Sequence, residues 1–182
     1  MLRVLGAAQR IGLLGPRPVT EVAAHARAFV RALLDPPRSS CAAVRSSGPS
    51  TLVDIGSGGG VPGLVIATEL PSLTVTLVDR RQRCTDFLER AVRTLRLSER
   101  VTVRCADTKS LIATGRRYDA VTARGFGPPA STLATARALI NPGGSIVLGE
   151  PPHERWPVDQ LERLGLAYRR CGAVGIFVER ST

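Results

Sequence analysis

The sequence predicts an α/β fold: a mostly parallel, seven-stranded sheet with helices on both faces. Three observations carry this reading. From Thr51 onward, short apolar β-branched runs alternate with segments of helical period. The first run passes straight into a glycine bend, Leu52-Val53-Asp54-Ile55-Gly56-Ser57-Gly58-Gly59-Gly60-Val61-Pro62-Gly63, which reads as strand, tight turn and helix. The chain closes on two short strands joined at Cys171-Gly172, so one strand of the sheet should run antiparallel.

Taken in order, residues 1–35 read as two helices broken at Gly15-Pro16-Arg17-Pro18. Thr20 and Glu21 stand where a cap for the second helix belongs. Val22, Ala26, Phe29, Val30 and Leu33 form a packing stripe. Asp35-Pro36-Pro37 ends that helix, and residues 36–50, rich in Pro, Ser and Arg, read as an exposed linker. Residues 1–50 are thus expected to be a helical extension and linker, and 51–182 the main domain. In the latter, strands are predicted up to Ile55 and over 74–79, 101–104, 118–122, 145–148, 167–170 and 173–178. Helices are predicted over 62–70, 82–97, 110–114, 130–140 and 158–164. Pro62 suits a first helical turn, and Asn141-Pro142-Gly143-Gly144 is a stop. The 82–97 helix carries Arg83, Arg90, Arg93 and Arg96 opposite its apolar face. That row suits a solvated surface or a nucleic-acid contact.

At 182 residues the chain is long enough to bury a real core. Its net charge of +10 comes almost wholly from arginine, Lys109 being the one lysine, and favours an anionic partner such as nucleic acid. Cys41, Cys84, Cys105 and Cys171 are scattered, and His25 lies far from His153. This spacing points to neither a metal site nor a disulfide framework, but to reduced thiols in the cytoplasm. No apolar stretch approaches a membrane span, and Gln9-Arg10 interrupts the apolar start, which argues against a signal peptide.

Ligands of such sheets sit outside the carboxyl ends of the strands. The first bend lacks the G-K-[ST] of a phosphate loop. Asp54, just before its first glycine, would repel a pyrophosphate but can accept from an ammonium or hydroxyl group. Asp79 ends the second strand, where an acid accepts from ribose hydroxyls. A nucleoside that bears a cation and no diphosphate fits both acids, and S-adenosyl-L-methionine is such a molecule. Gly56, Gly58 and Val61 would meet it at the bend. After the third strand, Ala106 leaves room for an adenine ring and Asp107 can accept from its amino group, or cap a helix. Arg124, after the fourth strand, suits a carboxylate of the cofactor or a phosphate of the substrate. Phe126 can stack on a base or pack in the core. Glu150 and His153, after the fifth strand, border the substrate as candidate proton carriers. No Ser or Cys sits in a nucleophile setting.

Residues 52–148 resemble the glucose-inhibited division protein B family, methyltransferases of guanine N7 in small-subunit ribosomal RNA. The likeness rests on the bend through Val61-Pro62-Gly63, on Leu77-Val78-Asp79 and on Arg83-Cys84-Thr85-Asp86-Phe87-Leu88. It extends to Val121-Thr122-Ala123-Arg124-Gly125-Phe126, to Leu139-Ile140-Asn141-Pro142-Gly143-Gly144 and, upstream, to Gly12-Leu13-Leu14-Gly15-Pro16-Arg17. It implies a class I, Rossmann-like methyltransferase fold and a cofactor pocket lined by Gly56, Val61, Ala106, Asp107 and Arg124. Gly149-Glu150 stands where the family has Lys-Gly, and the family's Asn-Leu-Thr segment is absent.

Three functions are therefore open: methylation of ribosomal RNA or the small ribosomal subunit, methylation of a small metabolite, and RNA binding without catalysis. The metabolite reading expects an enclosed pocket capped by residues 1–35 and the 149–156 loop.

Overall fold

Alternation of side chains along each strand sorts the apolar residues onto two faces, and the helices cover both. The computed structural model describes residues 1–35 and 48–180. The sheet comprises β1 (Thr51–Ile55), β2 (Thr74–Asp79), β3 (Val101–Cys105), β4 (Tyr118–Ala123), β5 (Ile140–Gly149), β6 (Leu166–Cys171) and β7 (Val174–Glu179). Their spatial order is β3-β2-β1-β4-β5-β7-β6, with β7 antiparallel to both neighbours. Leu52, Val75, Leu77, Ala120 and Val147 point to one face. There they meet α1 (Leu2–Arg10), α2 (Val19–Leu34), α3 (Gly63–Glu69) and α4 (Gln82–Thr94). Val53, Ile55, Val121, Ile146 and Leu148 point to the other. That face is covered by α5 (Thr108–Ala113), α6 (Pro129–Leu139) and α7 (Val158–Arg163).

The chain steps outward from β1 to β2 and β3, then returns to place β4 on the other side of β1. The connections on either side of that reversal leave in opposite directions, so a crevice opens above the carboxyl ends of β1 and β4. Asp54 pairs in register with Leu77 of β2 and Thr122 of β4, at the centre of the sheet.

Several boundaries differ from the sequence reading. Pro18 stands at the start of α2 with no side-chain cap, so Thr20 lies inside the first turn. Pro62 is likewise the residue before α3, which begins at Gly63. α4 ends at Thr94 rather than Leu97, and Arg96 takes a positive φ of 56° just beyond it. The Asn141-Pro142-Gly143-Gly144 stop does not separate α6 from β5. It is an irregularity inside β5, where the register with β4 jumps from Tyr118/Ile140 to Ala120/Ser145. Backbone pairing resumes on both sides of a turn that the residues themselves favour. The linker expected over 36–50 lies outside the described residues except at 48–50, and Cys41 lies outside them.

Candidate functional site

The glycine bend is built by hydrogen bonds from three strands. Ser57 donates its N–H to the Val78 carbonyl at 3.0 Å and its Oγ to the Asp54 carbonyl at 2.8 Å, while accepting from the Val78 N–H. Gly60 has φ +86° and a Cβ there would lie 2.3 Å from Leu64 Cδ1, so only glycine closes the bend onto α3. Asp54 lies beneath this bend, 1% exposed. Its Oδ1 accepts from Thr122 Oγ at 2.7 Å and its Oδ2 from the Gly63 N–H at 3.2 Å. Burial raises its pKa from 3.8 to about 6, against those two hydrogen bonds, a third from Ser57 and the charge of Arg124. Oδ2 thus serves the turn, and Oδ1 ties it to β4. Val61 is also turned inward, packed in one cluster with Val22, Ala26 and Val65.

Asp79 sits at the tip of β2, next to the bend. Its Oδ2 accepts from the Gly58 N–H at 2.9 Å and its Oδ1 from the Arg81 N–H at 3.0 Å. The Arg81 guanidinium adds contacts to both oxygens. Burial pushes the Asp79 pKa up, but the hydrogen bonds from Arg81 and Gly58 outweigh it, and the net shift is downward. Ala106 follows at the tip of β3, its N–H donating to the Asp79 carbonyl at 3.2 Å. Asp107 is exposed and caps α5, accepting from the Ser110 N–H at 2.7 Å. The structure brings Gly58, Asp79, Ala106 and Asp107 along one rim.

Phe126 lies against the glycine bend and also lines a cavity. A Cβ on Gly56, whose φ is +70°, would lie 2.7 Å from Phe126 Cδ2, so the ring rests on the bend. The same ring lines a cavity of about 250 Å³ beyond it, together with His25, Arg124, Gly149, Glu150 and Arg155. Leu14 covers the bend from the other side, against Gly59. Arg124 is half-buried and makes no hydrogen bond or close ion pair with any described residue. Burial and the charge of Arg17 lower its pKa, while Asp54 opposes them. His25, reaching in from α2, has a buried Nδ1 without a partner. Its pKa is lowered by burial first, then by Arg124 and Arg17, which keeps the ring neutral at pH 7.

Glu150 lines the cavity but its carboxylate is engaged. Oε2 is 2.7 Å from Arg155 Nε, and Oε1 accepts from Trp156 Nε1 at 2.8 Å. His153 is exposed and does not line the cavity, and its carbonyl accepts from Arg170. Of the arginine row, Arg83 bonds back to the Ile11 carbonyl, tying α4 to the amino-terminal segment. Arg90, Arg93 and Arg96 remain exposed. Among the described residues no group of three or more His, Cys, Asp and Glu is placed to hold a metal ion.

Ser57, Arg81 and Thr122 are site residues that the sequence reading passed over. Ser57 and Arg81 had a local signal, being beside Asp54's glycines and two residues past Asp79. His25 had none in this role, because about a hundred residues separate it from Arg124.

The model of the family described as GidB, rRNA small subunit methyltransferase G, matches residues 3–162. The chain belongs to this family. Among curated members, each named ribosomal RNA small subunit methyltransferase G, that of Salinispora tropica is 38% identical over 143 residues, covering 75% of this chain and 54% of its own. That of Nocardioides is 37% identical over 138 residues, covering 75% and 50%. The member from Leptothrix cholodnii is 35% identical over 119 residues, covering 65% and 53%. The chain thus spans about half the length of these relatives. Among solved structures, a methyltransferase from Geobacter sulfurreducens aligns with TM-score 0.67 at 15% identity over 99% of this chain and 89% of that one. A SAM-dependent methyltransferase from Thiobacillus denitrificans, in complex with S-adenosyl-L-homocysteine, gives TM-score 0.62 at 18% identity over 92% and 71%. The fold of this family member is the class I methyltransferase fold, with its seven strands in the order described above.

Proposed function

We propose that this GidB-family chain belongs to an S-adenosyl-L-methionine-dependent methyltransferase that acts in the cytoplasm on guanine N7 of small-subunit ribosomal RNA. The observation that carries the reading is the family match over residues 3–162, joined to a crevice with an acid at the tip of β2 beside bare glycine backbone. The residues suit an adenosine-bearing sulfonium. Asp79 offers carboxylate oxygens to ribose hydroxyls, and Gly56 and Gly58 let the sugar approach the backbone. Ala106 leaves room beside Asp107 for the adenine. Asp54 positions the bend through Thr122 and Gly63 and lends its charge to Arg124. Arg124 holds a carboxylate or a phosphate at the mouth.

When bound, the cofactor supplies a methyl group already made electrophilic by its sulfonium. A guanine N7 attacks with a neutral lone pair, so the protein's task is to align it and exclude water, with no general base needed. Phe126, between the crevice and the cavity, is placed to stack on the incoming base. The +10 charge and the exposed Arg90, Arg93 and Arg96 favour a salt-sensitive RNA contact.

Incubating the protein with labelled cofactor and small-subunit RNA from a strain lacking the modification tests this. Label on the RNA, falling as salt rises, is expected; unlabelled RNA overturns it. One observation favours a small metabolite instead: His25 of α2 and Gly149, Glu150, Pro151 and Arg155 together border the 250 Å³ cavity. Labelling of a metabolite extract by a protein inactive on RNA would select that reading.

A further inference from the structure

Asp79 is saturated with donors, and this has a consequence for any nucleoside that enters. A carboxylate offers about four acceptor sites, two per oxygen. Oδ1 receives the Arg81 N–H at 3.0 Å and Arg81 Nε at 3.1 Å. Oδ2 receives the Gly58 N–H at 2.9 Å and Arg81 Nη2 at 3.3 Å. Two of these donors are backbone groups of the bend and the strand end and cannot leave without unmaking the site. The other two belong to one guanidinium, on a side chain 61% exposed, whereas Asp79 is 4% exposed. Nη2 also lies 3.6 Å from where a Cβ of Gly58 would stand, so it covers the face of the bend a sugar would occupy.

We propose that Arg81 is a built-in competitor for the ribose seat, which must swing away from Asp79 before a vicinal diol can bind there. Its departure frees one acceptor site on each carboxylate oxygen, matching the two adjacent hydroxyls of a ribose. The bend and Asp107 are unaffected by the move, because among the described residues the Arg81 guanidinium is bonded to Asp79 alone, while Gly58 and Ser110 make their own backbone bonds to Asp79 and Asp107. This rests on the nucleoside reading of the crevice. It adds a specificity element: a ligand with the full diol can replace both guanidinium contacts, and one lacking a hydroxyl replaces only one.

The probe is S-adenosyl-L-homocysteine, with affinity read by calorimetry on wild type, Arg81→Ala, Asp79→Asn and the double variant. A largely exposed ion pair competes weakly, so Arg81→Ala is expected to bind about three- to tenfold more tightly than wild type. In the Asp79→Asn background the same change is expected to bring no gain, since the competitor then has no carboxylate to hold. Equal or weaker binding by Arg81→Ala, with wild type binding normally, overturns the proposal and leaves the crevice reading intact. A gain that persists in the Asp79→Asn background also overturns it, by placing the effect elsewhere. Absence of binding by wild type and Arg81→Ala alike overturns both readings. Arg81→Lys, which keeps the charge but loses the two-pronged grip, is expected to fall between wild type and alanine.

Discussion

At the scale of single residues, hydrogen-bond partners give the two buried acids of the crevice different roles. Asp54 joins Gly63 to Thr122 of β4, and Asp79 joins Gly58 of the bend to Arg81. Asp54 has a folded-state pKa of about 6 against an ordinary 3.8. Between these values the folded protein keeps a proton that the unfolded chain has lost, so Asp54's contribution to stability falls as pH rises through that window. Two pKa units amount to about 3 kcal/mol. Asp54→Asn, which cannot titrate, is expected to lose this dependence: its stability relative to wild type should rise by roughly that amount between pH 4 and pH 6. Urea denaturation of both proteins across the range checks it, and parallel profiles would refute it. The sequence marked Asp54 and Asp79 as a pair at neighbouring strand ends. It did not distinguish the acid whose pKa rises from the one whose pKa falls, because both are buried and the difference lies in the Arg81 guanidinium, which grips Asp79 and not Asp54.

At the scale of elements, Glu150 anchors the loop between β5 and α7. Its oxygens hold Arg155 and Trp156, the latter edge-on to Phe177 with ring centroids 5.0 Å apart. Glu150→Ala leaves the indole N–H without its partner and a largely buried guanidinium with only the Gly149 carbonyl to hold it, and is expected to cost on the order of 3 kcal/mol. Thermal denaturation measures this; a change within about 0.5 kcal/mol would mean the loop is held by its apolar contacts. The glycine bend is stiffer still. Gly60→Ala is expected to prevent native closure onto α3, since its Cβ would overlap Leu64 at a positive φ. The readout is loss of the cooperative unfolding transition. Strand and helix centres were legible from periodicity, but ends were not. Asn141-Pro142-Gly143-Gly144 has turn chemistry and still lies within β5, because β4 alongside continues the pairing past it.

At the scale of the whole molecule, α1 and α2 are not a separate layer. Val4, Ala8, Phe29 and Leu33 share one core with Leu52, Leu64, Val75 and Val147. Phe29 is fully buried there, and its Cζ lies 3.6 Å from where a Cβ of Gly149 would be. Phe29→Ala is expected to destabilise the whole protein by about 3–5 kcal/mol in a single transition. Denaturation followed by both Trp156 fluorescence and circular dichroism tests this, and two separate transitions would show that the amino-terminal helices unfold alone. The same packing delivers His25 to the cavity and Leu14 to the bend.

Local chemistry was enough to specify the alternation of strand and helix, the glycine bend, the acids at the strand tips and the basic surface, since each depends on neighbours a few residues away. Only the tertiary structure decided which of the two buried acids is raised and which lowered in pKa, that Phe126 both rests on the bend and lines the cavity, and that His25 and Arg124 line that cavity together. Those outcomes depend on which distant segments fill the space above β1 and β4, and that is settled by packing of the whole chain.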